Sequence, residues 1–221
     1  MKNLLSIVDS LFPWLLILST AAFCILTREK IFISSIMMSG VLCVLLAARG
    51  NIWTYIVSLY VTLAYAHVSY VNHLYGEMGL NLFFYLPTTI IGFFLWKKHM
   101  KNNIVIMRKM TTIYRIILFI NCLCLAWLAG YLLSLIPTQS TPHINGLTNI
   151  LAIAATLLMI YRFQEQWFLH IATISVTIFM WFLRSSAGST EGNAMIFMWF
   201  LYLLNSFYGA IKWRCGAGLT H

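Results

Sequence analysis

Long apolar stretches broken by short polar ones run through this chain, and eight of them are long enough to cross, or nearly cross, a bilayer. They cover residues 11–27, 31–48, 52–71, 79–96, 112–136, 146–161, 167–183 and 193–211. Tight breaks such as Arg28-Glu29-Lys30 and Arg49-Gly50-Asn51 make successive helices antiparallel neighbours. The pattern predicts an all-α polytopic membrane protein forming a single transmembrane domain over residues 1–221. Trp53, Trp96, Trp167 and Trp213 fall at run ends, where interfacial anchors are expected. The longest polar interval, 97–111, reads as a basic connector.

The pattern also repeats. Asn51-Ile52-Trp53 opens an apolar stretch that closes on Gly92-Phe93-Phe94-Leu95-Trp96-Lys97, and Glu165-Gln166-Trp167 opens one that closes on Gly209-Ala210-Ile211-Lys212-Trp213-Arg214. The offset is 114 residues from Trp53 to Trp167 and 117 from Trp96 to Trp213, a drift one loop can absorb. These landmarks divide the runs into a 1+3+1+3 arrangement. An extra N-terminal helix (11–27) precedes a first three-helix repeat (31–96), and a linker helix (112–136) leads to a second (146–213). Three crossings reverse direction and the linker restores it, so the repeats are parallel, as in transporters with a site between their halves.

Composition narrows the class. With 61% hydrophobic and 9% charged residues and a mean hydropathy of +0.85, the chain cannot cover its apolar surface as a soluble domain. The net charge of +9 sits between the runs, so it speaks of topology and not of nucleic acid. One side of an eight-span arrangement carries Lys2, Arg49, Lys97, Lys98, Lys101, Arg108, Lys109, Arg115, Arg162, Lys212 and Arg214; the other carries Arg28, Lys30 and Arg184. The imbalance places both termini in the cytoplasm of a cell (inner) membrane protein. A short n-region, the interruption at Asp9 and the lack of a small-x-small site before Arg28 argue against a cleaved signal peptide. The five cysteines show neither CxxC nor Cys/His spacing, so no disulfide, metal or cofactor is implied.

Asp9, Glu29, Glu77, Glu165 and Glu191 all fall at run ends or in breaks, leaving no carboxylate near a span centre to couple transport to protons or sodium. No paired carboxylates, GxSxG, HExxH or P-loop point to an enzyme. What the runs do hold is uncharged and polar. Ser58, Thr62, Tyr65 and Ser69 share one helix face, and His170, Thr173 and Thr177 share another, so each repeat presents a polar stripe. Backbone bonding or helix–helix adhesion is the alternative role for such residues. The same two roles are open to the amides Asn81, Asn121, Asn149 and Asn205. Pro87 interrupts the backbone ladder of its run, as a hinge or as a static kink.

Pro142-His143-Ile144-Asn145 leads into Leu151-Ala152-Ile153-Ala154-Ala155-Thr156-Leu157-Leu158-Met159, and Arg162-Phe163-Gln164-Glu165-Gln166-Trp167 follows. This resembles the second-repeat signature of the PnuC-type nicotinamide riboside transporters, an apolar L-S-I-V-A-x-x-L-M helix before R-x-x-E-N/Q-W. Leu74-Tyr75, Asn81-Leu82-Phe83-Phe84 and Gly92-x-x-x-Trp96 are similar to the matching first-repeat segment, and the likeness covers roughly residues 50–215. It implies a SWEET-like bundle that imports an unphosphorylated vitamin by facilitated diffusion, with a cytoplasmic kinase trapping it by phosphorylation. It also implies a homo-oligomer, a trimer, in contact with membrane lipid. The chain departs from the family at Asn81 (Gln in relatives), His170 (Trp) and Thr173 (Asn), and family asparagines are replaced around Tyr60 and Thr89.

The expected substrate is nicotinamide riboside, whose pyridinium is a permanent cation that aromatic faces stabilise without a buried carboxylate. Tyr60, Tyr65, Trp181 and Tyr208 are the aromatics expected around it, Asn81 and Asn205 the partners of its carboxamide and ribose hydroxyls, and Thr173 and Thr177 the lining of its path. Thiamine, also cationic, and riboflavin are the alternative substrates, and a non-transport membrane scaffold is the alternative class.

Overall fold

The computed structural model describes residues 2–71, 75–101, 104–135, 142–186 and 192–218. It is almost wholly helical: α1 (Lys2–Leu26), α2 (Ile31–Ala48), α3 (Trp53–Val71), α4 (Tyr75–Leu80), a π-helical segment (Asn81–Tyr85), α5 (Leu86–Lys97), α6 (Thr112–Ser134), α7 (Pro142–Ile160), α8 (Gln166–Ser186) and α9 (Gly192–Gly218). Between α5 and α6 the connector folds into a two-stranded antiparallel pair, β1 (Met100–Lys101) with β2 (Ile104–Val105). Among the described residues six helices are long and apolar enough to cross a membrane. α3 is not among them, because the Ser, Thr, Tyr and His positions of its polar stripe lower its hydropathy.

Helix packing closes a ring. α2 packs on α3 and α9, α9 on α8, α8 on α7, α7 on α5, and α5 on α3, while α1 leans on α2 and α6 on α7 from outside. The π segment is explained by Pro87, which has no N–H to donate and crowds the carbonyl one turn back. The ladder widens there, with Leu86 N–H bonding Asn81 O. Thr88 Oγ1 then donates to Phe84 O (2.7 Å) and Tyr85 O (3.0 Å), satisfying acceptors the widened turn leaves.

The α2–α3 and α7–α8 turns repeat one another bond for bond. Arg49, Gly50 and Asn51 N–H groups reach Leu45, Ala47 and Leu46 carbonyls; Tyr161, Arg162 and Phe163 reach Leu157, Met159 and Leu158. Gly50 (φ 66°) and Arg162 (φ 68°) sit in the same left-handed conformation, free for glycine and costing arginine about 1 kcal/mol. Trp96 Nε1 donates to Met159 O (3.0 Å), and Trp213 Nε1 to Ala47 O (3.1 Å), each tying the end of one half to the other half.

These bonds correct two expectations. Trp96, Trp167 and Trp213 are buried in a shared core with Tyr55 and Tyr208 and are not interfacial anchors; of the four tryptophans only Trp53 is exposed. The register also differs. Tyr55 meets Trp96 edge-on (5.0 Å, 87°) and lies over Gly92, as Trp167 meets Trp213 (6.1 Å, 69°) and lies over Gly209. Tyr55, not Trp53, therefore holds the place of Trp167, an offset of 112 residues that matches Gly50 with Arg162.

Candidate functional site

At the centre of the ring lies a cavity of about 270 Å³, to which α2, α3, the π segment, α5, α7, α8 and α9 all contribute. That is near the small end of the roughly 300–1,000 Å³ usual for small-molecule sites. Matched positions of the two halves line it together: Tyr55 and Trp167, Ser58 and His170, and Tyr85 and Tyr202. Among the described residues that line it there is no Asp, Glu, Lys or Arg.

The two walls differ in chemistry. On the first-half wall the small polar groups satisfy one another. Thr54 Oγ1 donates to Cys43 O (2.9 Å), Cys43 Sγ lies 3.4 Å from Thr54 Oγ1, and the Ser58 and Thr89 hydroxyls are 3.2 Å apart. On the second-half wall Trp167 Nε1, Trp199 Nε1 and Asn205 Oδ1 are buried without a partner among the described residues, as is Tyr55 Oη on the first. Buried groups of this kind cost about 1–3 kcal/mol each if they stay unsatisfied, so they define what an occupant must supply. An occupant that reaches them offers acceptors to the two indole N–H groups and a donor to the amide oxygen. The aromatic faces of Tyr55, Tyr85, Trp167, Trp199 and Tyr202 suit a flat or cationic ring.

Of the residues expected at the site, Thr173 and Asn205 line this cavity. Asn205 Nδ2 holds α9 to α2 through Val44 O (2.8 Å), while Oδ1 is buried without a partner among the described residues. Thr173 Oγ1 bonds Leu169 O, and Thr177, outside the lining, bonds Thr173 O. Asn81 is buried in the π segment and Tyr65 half-buried on α3, both outside the lining. Tyr60 is exposed and shares a hydrogen bond with Ser35 on α2. Tyr208 lies beyond the cavity floor, stacked on Phe12 (4.7 Å) and donating to Asp9 Oδ1 (3.1 Å). The Trp181 side chain lies outside the described residues. Trp199, Tyr202 and Tyr85 were not singled out from sequence, where they read as ordinary aromatics of apolar runs.

One end of the cavity is shut by the aromatic core and by a strap, residues 99–101 and 104–110, lying across it. Val105 N–H bonds Gly50 O (3.0 Å) and Arg108 N–H bonds Arg162 O (2.8 Å), so the strap grips both left-handed turns. Val105 and Met107 are buried in the core beneath. Arg162 Nη1 reaches Ile106 O (3.2 Å), and Arg108 lies 4.6 Å over the Phe163 ring. Burial first, and the Arg108 guanidinium second, lower Arg162 from the usual arginine value. Glu165, buried, pairs with Arg115 (2.8 Å) and accepts from Met110 N–H (3.2 Å). Glu165→Ala is expected to lower stability by about 1–3 kcal/mol, because Met110 N–H loses its partner while the half-exposed Arg115 regains water. Thermal unfolding in detergent measures it, and an unchanged midpoint would mean the strap does not depend on this carboxylate.

The family model described as nicotinamide mononucleotide transporter matches residues 30–215. A Neisseria mucosa protein named nicotinamide riboside transporter PnuC is 33% identical over 187 residues, 80% of this chain and 69% of that one. A Haemophilus influenzae protein of the same name is 35% identical over 184 residues, 80% of this chain and 76% of that one. The crystal structure titled vitamin B3 transporter PnuC superposes with a TM-score of 0.84 at 27% identity, covering 96% of this chain and 93% of its own.

Proposed function

The chain belongs to the nicotinamide mononucleotide transporter family, and from that premise we propose that its helical ring carries nicotinamide riboside across the membrane. The observation that supports this best is the uncharged, aromatic-walled cavity with unpartnered indole and amide groups. A pyridinium cation rests on aromatic faces, and ribose hydroxyls both donate and accept, which is the complement those groups lack. A nucleotide would bring a phosphate with roughly two negative charges. With no Lys or Arg in the lining, the unphosphorylated nucleoside is the better match.

Eight crossings in a 1+3+1+3 order, with parallel repeats meeting at the cavity, fit the twin turns and the reciprocal tryptophan bonds. The charge imbalance favours cytoplasmic termini in an inner membrane, and the resemblance favours a trimer and trapping by a cytoplasmic kinase. Movement is then facilitated diffusion. Purified protein in liposomes is expected to equilibrate radiolabelled nicotinamide riboside and to compete it with thiamine and riboflavin only weakly. Dissipating proton or sodium gradients is expected to change the initial rate less than about twofold, since no lining carboxylate couples to them. Accumulation above the outside concentration without ATP or kinase would rule out a uniporter. Tenfold tighter binding of thiamine or riboflavin would overturn the substrate assignment.

A further inference from the structure

The segment joining α5 to α6 is the most basic part of the chain and is firmly anchored. From Lys97 to Arg115 it carries six Lys and Arg residues and no Asp or Glu. Two ion pairs form among the described residues, Arg115–Glu165 and Lys212–Asp9, and neither involves Lys97, Lys98, Lys101, Arg108 or Lys109. All five are exposed. Exposed apolar side chains stand among them: Ile104 (50%), Ile106 (39%), Ile113 (59%) and Tyr114 (61%). Lysines of a flexible loop would scatter their charge, but here the backbone is pinned at Gly50 O and Arg162 O, at Ile106 N–H to His99 O (2.9 Å), and through the β1–β2 pair.

This is an amphipathic patch fixed where two spans end, the depth at which phosphate headgroups meet acyl chains. We propose that the strap is a docking site for anionic phospholipid. Lys98, Lys101 and Lys109 take the headgroup phosphate, and Ile104 and Ile106 rest against the acyl boundary. Because the strap grips both left-handed turns, a lipid bound there also holds this end of the ring shut. The inference requires only that the bundle sits in a bilayer and is independent of what the cavity carries.

The test uses the purified full chain in an uncharged detergent, with unfolding followed by tryptophan fluorescence. Phosphatidylglycerol is expected to raise the melting temperature by on the order of 5 °C, and phosphatidylcholine by much less. The gain should shrink in 1 M salt on the unaltered chain, a reading that needs no variant. K98Q/K101Q/K109Q should lose most of it, whereas K30Q, at the opposite end of α1 and α2, should keep it. Equal stabilisation by phosphatidylcholine, or a full gain in the triple variant, overturns the proposal. So does an equal gain from inorganic phosphate at the same concentration, which would mean that a free anion, not a lipid, is bound.

Discussion

Gly146→Val is expected to leave little folded protein in detergent extracts. α6 and α7 approach so closely at Gly130 and Gly146 that a Cβ on Gly146 would lie 2.5 Å from Gly130 N, 2.8 Å from Gly130 Cα and 3.0 Å from Ala126 O. All three atoms are backbone, so no side chain can swing aside and the helices themselves must separate. Small residues that let helices touch are the main adhesive between them in lipid, where burial of apolar surface contributes little. Separating the pair forfeits dispersion along the whole contact, a loss of roughly 3 kcal/mol or more. Gly79→Ala makes the contrast. Among the described residues its Cβ would meet Phe83 Cδ2 alone, at 3.9 Å, and the change is expected to shift stability by less than about 1 kcal/mol. Size-exclusion profile and melting temperature read both. A monodisperse Gly146→Val melting within a few degrees of the parent would show that α6 and α7 do not pack backbone to backbone.

What the sequence made legible follows from what hydropathy measures. Long apolar runs specify that helices exist, and each of the eight runs overlaps a helix or, for 79–96, the α4–π–α5 succession. The ends moved outward, with α1 beginning at Lys2 and α9 reaching Gly218, because polar residues continue a helix once its apolar part is anchored. The polar stripes on α3 and α8 point to the cavity through Ser58, Thr62, His170 and Thr173. Facing is harder. Tyr60 and Tyr65 share a helix with Tyr55, but only Tyr55 reaches the centre, a choice made by the helices packed around α3. A tryptophan at a run end looks the same whether it touches headgroups or donates its indole N–H to a carbonyl across the bundle. Trp96 and Trp213 do the latter, and nothing local distinguishes them from Trp53. Pairing Trp53 with Trp167 by residue type thus misses the true register by two positions. The left-handed turns at Gly50 and Arg162 are the better landmark, although Arg28 makes a third of the same kind and only the glycine announces its turn.

Asn205→Leu is expected to weaken nicotinamide riboside binding by about fivefold to a hundredfold while the protein still folds. The side chain is fully buried, and leucine keeps its branched outline while replacing the amide with two bulkier methyl groups, so the main change is chemical. Losing the Nδ2 bond to Val44 O removes one α2–α9 tie, worth about 0.6–2 kcal/mol inside a bundle, which lowers the melting temperature without unfolding the ring. Losing Oδ1 removes a buried acceptor that has no partner among the described residues and leaves a ligand donor unsatisfied, at a cost of about 1–3 kcal/mol. Trp199→Phe separates the second wall's polar contribution from its aromatic one. The ring face remains for the cation and only Nε1–H disappears, so a smaller loss, about threefold to tenfold, is expected. Tyr60→Phe, which touches only the Ser35 hydrogen bond on the outside of the ring, is expected to bind within twofold of the parent. Isothermal titration or scintillation proximity on folded variants gives all three affinities. If Asn205→Leu and Trp199→Phe bind as tightly as the parent while Tyr60→Phe loses tenfold, the substrate does not sit against α8 and α9, and the recognition face must be sought on the outer side of α3.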